Sequence, residues 1–225
     1  GLCAKASAFI LNHSHGPWCY SVSLPDPHGP NTVRPPYDTM YADVEVPIPA
    51  TLKRADDNVP GWGRSAGVTA AQLRKIMPAY YGMVKCIDDN VGRILATLKE
   101  KEILDHTIVV FTSDHGDLCG EHGRLNKGVP YEGSARIPFL MVCPGKLPAG
   151  IVCDEALSCV DFLPTAMALM DVPVQHDVDG RDASQLLMGE AAGWNDIALL
   201  RSTSGKSPWL ASVTHRYKLV ISAAD

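Results

Sequence analysis

The chain has 225 residues, 46% of them hydrophobic and 20% charged, with 20 Lys+Arg against 25 Asp+Glu for a formal net charge of −5. That length can bury a sizeable core and fits one domain, or one domain with a subdomain. An acidic balance with scattered positive charges argues against a nucleic-acid surface, and no apolar run approaches the roughly 18 residues that span a bilayer.

Gly1-Leu2-Cys3-Ala4-Lys5 has no initiating methionine and no basic region ahead of an apolar stretch, so no signal peptide is visible and the chain reads as an internal fragment of a longer protein. Trp18-Cys19-Tyr20-Ser21-Val22-Ser23-Leu24 reads as a buried strand, ended by Pro25-Asp26-Pro27-His28-Gly29-Pro30, because proline cannot donate to a ladder. Residues 31–68 hold many Pro, Gly and Asp residues without a period. They read as a long irregular excursion of the kind that is often functional. Thr69-Ala70-Ala71-Gln72 has the form of a capping box. The helix it opens repeats Leu73, Ile76, Tyr80, Met83, Ile87, Val91, Ile94, Leu95 and Leu98 at three- and four-residue steps. Pro78 falls inside that pattern and predicts a kink or a break near Met77.

A run of β-formers follows at 107–112, then a glycine-interrupted loop, then a second buried strand at 139–143 that Pro144-Gly145 ends. Asp161 is placed to cap a helix through Met170, with Phe162, Ala166 and Leu169 inward. Asp179-Gly180-Arg181-Asp182 makes a turn ahead of a short helix at 184–188, and 197–200, 210–214 and 217–221 read as consecutive antiparallel strands. Strand, long helix, strand, helix is the alternation of an α/β protein with a parallel sheet, in which ligands bind beyond the carboxyl ends of the strands. His28 and the Asp114-His115 pair both fall just past strand ends and form one candidate site.

A carboxylate and an imidazole at a strand exit can converge on one divalent ion, although Asp-His-Gly is also a plausible turn sequence. Lys127, thirteen positions after Asp114, can hold an oxyanion and stabilise charge on a leaving group, or be a solvated loop charge. His28, among prolines, can donate to an ester oxygen or leaving group, or be an ordinary turn histidine. Glu121-His122 is a candidate pair for orienting Asp114 or His115. His13 and His15 read as surface residues, and Asp88-Asp89 as a polar helix face. The seven cysteines form no Cys-x-x-Cys pair and read as small buried hydrophobes, with Cys153 and Cys159 a possible pair.

Together, Ser23-Leu24-Pro25-Asp26-Pro27-His28-Gly29-Pro30, Tyr80-Tyr81-Gly82-Met83-Val84, Asp88-Asp89-Asn90-Val91-Gly92, Thr112-Ser113-Asp114-His115-Gly116-Asp117, Lys127-Gly128-Val129-Pro130-Tyr131-Glu132-Gly133-Ser134-Ala135-Arg136-Ile137-Pro138, Asp179-Gly180-Arg181-Asp182 and Tyr217-Lys218-Leu219-Val220 resemble the sulfatase family of the alkaline-phosphatase-like superfamily in order and spacing. The resemblance implies part of an α/β/α sandwich over residues 1–190 and the start of a small antiparallel C-terminal sheet over 191–225.

It also implies roles. Asp114 and His115 would be two ligands of one divalent ion, calcium in most relatives, with manganese or another transition metal admitted because His115 stands where many relatives have Asn. Lys127 would contact the sulfate and its bridging oxygen, and His28 would bind the sulfate and assist the departing alcohol. The family's nucleophile is a formylglycine made in an N-terminal Cys/Ser-x-Pro/Ala-x-Arg motif. No such motif occurs in this chain, so the formylglycine is expected upstream and the segment alone is expected to be inactive. The implied substrate is a small-molecule or carbohydrate sulfate ester, and the implied location is periplasmic, secreted or lysosomal. A phosphodiester or phosphonate monoester hydrolase of the same superfamily, and a non-catalytic truncated relative, are the competing readings.

Overall fold

The computed structural model describes residues 1–53, 59–202 and 208–222. The chain divides into two compact units, each assembled from separate stretches of sequence. The first comprises residues 1–55, 65–108 and 117–126; the second comprises 56–64, 109–116 and 127–225.

In the first unit, helix α1 (Leu2–His13) lies against helix α2 (Ala70–Glu100) and buries Cys3, Ala6 and Ile10, one face at three- and four-residue steps. The capping box at the start of α2 forms as the sequence predicts: Gln72 N–H donates to Thr69 Oγ1 at 3.2 Å, and Thr69 N–H donates to Gln72 Oε1 at 2.8 Å. The helix does not break at Pro78 but continues for 31 residues. Proline removes one backbone bond at about 3 kcal/mol, and the burial of Leu73, Met77 and Met83 on either side of it offsets that cost at roughly 1.5–3 kcal/mol each. Leu73 and Met77 form a core with Val46 and Leu52 from the irregular excursion.

The excursion is pinned to α2 at a second point. Gly82 meets the Tyr37 carbonyl so closely that an added Cβ would lie 2.2 Å from its oxygen. The Tyr37 hydroxyl donates to Asp89 Oδ2 at 2.8 Å, and Lys85 pairs with Asp89 Oδ1 at 2.7 Å, so Asp89 does more than decorate a polar face. Residues 18–24 are not a strand: they run irregularly, with Trp18 and Tyr20 against Phe9 of α1. A strand needs a neighbour for its backbone groups, and none of the described residues offers one there. His13 stacks on Phe9 at 4.2 Å and its Nδ1 lies 2.9 Å from the Phe9 carbonyl.

The second unit holds strand β1 (Val109–Thr112), the short helix α3 (Glu132–Ala135) and strand β2 (Phe139–Val142). β1 and β2 pair antiparallel, with Val109 opposite Val142, which corrects the parallel arrangement expected from the alternation of elements. Nor is β2 buried: Leu140 is 60% and Val142 49% exposed. Helix α4 (Phe162–Leu169) and helix α5 (Ser184–Leu187) follow. Three strands close the chain as an antiparallel sheet in sequential order, β3 (Ala198–Ser202), β4 (Trp209–Val213) and β5 (Lys218–Ser222).

Asp161 precedes α4 but does not cap it with its side chain. Its buried carboxylate accepts from Ser158 N–H at 2.9 Å and Arg181 N–H at 2.8 Å, with Arg181 Nη2 at 3.5 Å. This ties the Asp179-Gly180-Arg181-Asp182 turn to the start of α4, where a Cβ on Gly180 would fall 1.8 Å from the Val160 carbonyl oxygen. Phe162, expected inward, is 42% exposed, while Leu169 is buried. All seven cysteines are free, Cys153 and Cys159 included.

Asp161→Ala leaves the Ser158 and Arg181 backbone N–H groups without their acceptor and should cost about 1–3 kcal/mol for each amide left unpaired, read as a lower denaturant midpoint. Gly82→Ala should destabilise by about 1–3 kcal/mol through overpacking, although alanine is the better helix former. Hydrogen bonds from Lys85 and Tyr37 hold the Asp89 carboxyl below the usual carboxylate range. The unfolded chain therefore binds more protons there, and stability rises with pH through that window. The contribution is complete above the unfolded value near ~3.9 and lost as pH falls through the folded value. Asp89→Asn should flatten that part of an acid-unfolding profile.

Candidate functional site

β1 is built from Val109, Val110, Phe111 and Thr112, residues that favour an extended backbone, and it delivers the chain to Ser113 and Asp114. There the backbone turns. Ser113 Oγ donates to the His115 carbonyl at 3.0 Å, and His115 N–H donates to Asp114 Oδ1 at 3.0 Å. Neighbours on a strand point to opposite faces, but this turn brings the two side chains together, with His115 Nε2 3.4 Å from Asp114 Oδ2. His115 Nδ1 lies 2.8 Å from the Gly116 carbonyl, which can only accept. Nδ1 therefore carries the proton of the neutral ring and Nε2 keeps its lone pair.

A lone pair and a carboxylate oxygen 3.4 Å apart have the spacing of adjacent ligands around a calcium-sized ion, which at contacts of about 2.3–2.6 Å holds such ligands about 3.3–3.7 Å from each other. The pair supplies two donors. Calcium takes about 6–8, and no group of three or more His, Cys, Asp or Glu side chains placed to hold a metal occurs among the described residues. The donor pair fits a metal centre as part of its ligand set.

Immediately after the pair, Gly116 packs so closely on the segment leading to Ser134 that an added Cβ would lie 2.1 Å from the Gly133 carbonyl oxygen. Gly116 N–H donates to the Ser134 carbonyl at 2.9 Å. Ser134 sits in α3, only 5% exposed, and its hydroxyl oxygen accepts from Gly128 N–H at 3.1 Å. Lys127 thus enters a turn whose next residue is fixed to the same serine. Gly128 has φ +95°, a left-handed conformation that suits glycine, and its carbonyl accepts from Trp209 Nε1 at 3.4 Å. Lys218 of β5 donates to the Pro130 carbonyl at 2.7 Å and pairs with Glu132. Asp114, His115 and Lys127 are therefore positioned within one unit.

His28 belongs to the first unit. Its N–H closes a turn onto the Pro25 carbonyl at 3.0 Å, and its Nδ1 lies 2.9 Å from the Gly29 carbonyl. By the same argument Nδ1 is the donor and Nε2 the acceptor. The residues just after it, Gly29 to Asn31, line a cavity of about 420 Å³ with Lys75, Tyr80, Asp117 and Asn126. Glu121 and His122 also lie in the first unit, where His122 N–H donates to Thr51 Oγ1.

The sequence reading passed over Asp117. One of its oxygens accepts from Cys119 N–H at 2.9 Å and Asn126 N–H at 3.0 Å, while Leu118 N–H donates to the Asn126 carbonyl at 2.9 Å. This closes the loop of residues 117–126. The signal was available: a carboxylate followed by Gly120 and Gly123 is placed to cap its own turn. Burial, reinforced by the Asp117 charge, pushes the Cys119 thiol up to about 12. It is protonated at neutral pH and is no nucleophile.

Residues 2–172 match the Sulfatase family, and the chain belongs to that family. It is 34% identical over 191 residues to an arylsulfatase of Clostridium perfringens, covering 80% of this chain and 39% of the relative. Over 172 residues it is 30% identical to an N-acetylglucosamine-6-O-sulfatase of Bacteroides thetaiotaomicron, covering 75% of this chain and 29% of the relative. The chain therefore spans well under half the length of these relatives. A solved complex of a protein with its substrate D-glucosamine-2-N,6-O-disulfate superimposes with a TM-score of 0.84 at 21% identity, over 97% of this chain and 59% of the other. A phosphonate monoester hydrolase from Silicibacter pomeroyi does so with 0.77 at 20% identity, over 100% of this chain and 54% of the other. The fold is that of the alkaline-phosphatase-like α/β proteins, of which this chain contains a part.

Gly116→Ala should force the strand exit away from the Gly133 carbonyl at a cost of about 1–3 kcal/mol, measured as a lower unfolding midpoint.

Proposed function

We propose that this chain is the C-terminal part of the catalytic domain of a metal-dependent sulfatase that hydrolyses sulfate esters. The observation that carries the reading is the Asp114–His115 donor pair at the β1 exit, 3.4 Å between donor atoms, in a chain of the sulfatase family. Asp114 Oδ2 and His115 Nε2 would be two ligands of a divalent ion, with calcium the first choice and manganese admitted by the imidazole. When bound, such an ion polarises the sulfate oxygens as a Lewis acid.

Lys127 would hold a sulfate oxygen and the bridging oxygen, so that negative charge on the departing alkoxide meets a fixed cation. His28 in its imidazolium form would donate from Nε2 to the leaving oxygen, while its Nδ1–H stays hydrogen-bonded to the Gly29 carbonyl and keeps the ring oriented. The formylglycine nucleophile would come from sequence upstream of residue 1. A sulfated sugar is supported by the N-acetylglucosamine-6-O-sulfatase relative and by the disulfated glucosamine complex.

Residues 191–225 would begin a small antiparallel subdomain. An exported or lysosomal location fits a family that includes an extracellular sulfatase of Drosophila melanogaster, 29% identical over 197 residues. No helix among the described residues is long and apolar enough to cross a membrane. The second reading, a phosphonate monoester hydrolase, is supported by the superposition on the Silicibacter pomeroyi enzyme.

Full-length protein assayed on aryl and sugar sulfates beside phenyl phosphonates separates the two. Sulfate turnover should dominate, and phosphonate turnover far above it would overturn the sulfatase reading. Lys127→Ala should lower kcat by about 10²–10³-fold, the effect of removing one fixed charge-stabilising donor. Chelation should abolish turnover, and added divalent metal should restore it.

A further inference from the structure

The Lys127 turn and the Asp114–His115 turn leave the protein core at different points of the chain, yet both are attached to one buried residue, Ser134. Ser134 accepts Gly116 N–H through its main-chain carbonyl at 2.9 Å and Gly128 N–H through its hydroxyl oxygen at 3.1 Å. The two attachments differ in kind. The first is backbone to backbone and survives any substitution at 134. The second depends on the hydroxyl alone.

We propose that Ser134 is a positioning residue of the site: its hydroxyl sets the distance between the Lys127 ammonium and the Asp114–His115 donor pair. The proposal rests on the roles assigned above to Lys127, Asp114 and His115. Transition-state stabilisation by a cation falls steeply with misplacement, because the charge must sit where the oxyanion develops. Lys127 has a flexible four-carbon stem, so a fixed backbone adds directly to the precision with which its ammonium is placed. Gly128 on its far side is held at both polar groups, by Ser134 Oγ and by Trp209 Nε1. Gly128 itself is exposed, so its N–H can turn to water when the hydroxyl is removed. Loss of the hydroxyl therefore loosens the turn more than it destabilises the fold.

The test uses the full-length protein and a series of aryl sulfates of graded leaving-group pKa. Ser134→Ala should lower kcat roughly tenfold, in line with a small displacement of a catalytic group. The loss should grow as the leaving group becomes poorer, with KM changed less. Ser134→Thr keeps an acceptor oxygen on the same Cβ and should recover most of the rate. In Lys127→Ala protein, adding Ser134→Ala should cost nothing further, because the serine acts through the lysine. Multiplying losses in the double variant, or an unchanged kcat in Ser134→Ala, would overturn the proposal.

Should Ser134→Ala fail to fold, Ser134→Cys keeps the volume with a weak acceptor and carries the same comparisons. If the protein turns over phosphonates instead of sulfates, the sulfatase reading fails while the same series on aryl phosphonates still tests Ser134. If it turns over neither, amide exchange decides. Gly128 should exchange at least about tenfold faster in Ser134→Ala, and an unchanged rate would sink the idea.

Discussion

Where Gly116 meets Gly133, two backbone segments approach so closely that only a hydrogen fits between them. This contact is the constraint on which the described geometry of the second unit's site depends. It aligns the exit of β1 with α3, and so lets a peptide N–H reach the Ser134 carbonyl at 2.9 Å. A strand exit without such a stop would be free to swing, and an adjacent Asp and His would keep the opposed directions of a strand. Because the stop lies one residue beyond them, the turn that brings Asp114 and His115 together is held at its far end.

The same economy governs the first unit, where the irregular excursion takes the place of regular structure. Among the described residues its backbone closes short turns, such as Tyr37 N–H onto the Arg34 carbonyl, and contacts with α2 anchor it: the Tyr37 carbonyl against Gly82, the Tyr37 hydroxyl on Asp89, and Val46 and Leu52 against Leu73 and Met77. Long loops usually cost more order than they return. Here a 31-residue helix offers enough surface to carry one.

Much of this was legible in the residues. The capping box at Thr69, the three- and four-residue repeat of α2 and the three closing strands follow from local chemistry and form where the pattern puts them. What failed was what depends on a partner. Residues 18–24 have strand composition but no neighbouring strand among the described residues, and β1 meets β2 antiparallel because pairing direction is set by packing rather than by the order of elements. Asp161 reads as a helix cap, yet its carboxylate is claimed by Ser158 and by Arg181, twenty positions away. For the candidate site, Asp114, His115, Lys127 and His28 are nominated on residue type and place alone, and the structure brings Asp114 beside His115. Ser134 could not be nominated in that way, since nothing about a serine in Glu-Gly-Ser announces the amide it will meet in space, whereas the glycines that follow Asp117 do signal the turn its carboxylate caps.

The indole of Trp209 reaches the Gly128 carbonyl, and Lys218 reaches Pro130 and Glu132. The closing sheet carries no residue assigned to chemistry, but it forms the floor under the Lys127 turn. Such a sheet is not free to drift in sequence like an appendage. A change in β4 or β5 that alters the height of that floor would move the Lys127 turn from a distance, giving selection, natural or in the laboratory, a handle on that turn that leaves its own residues untouched.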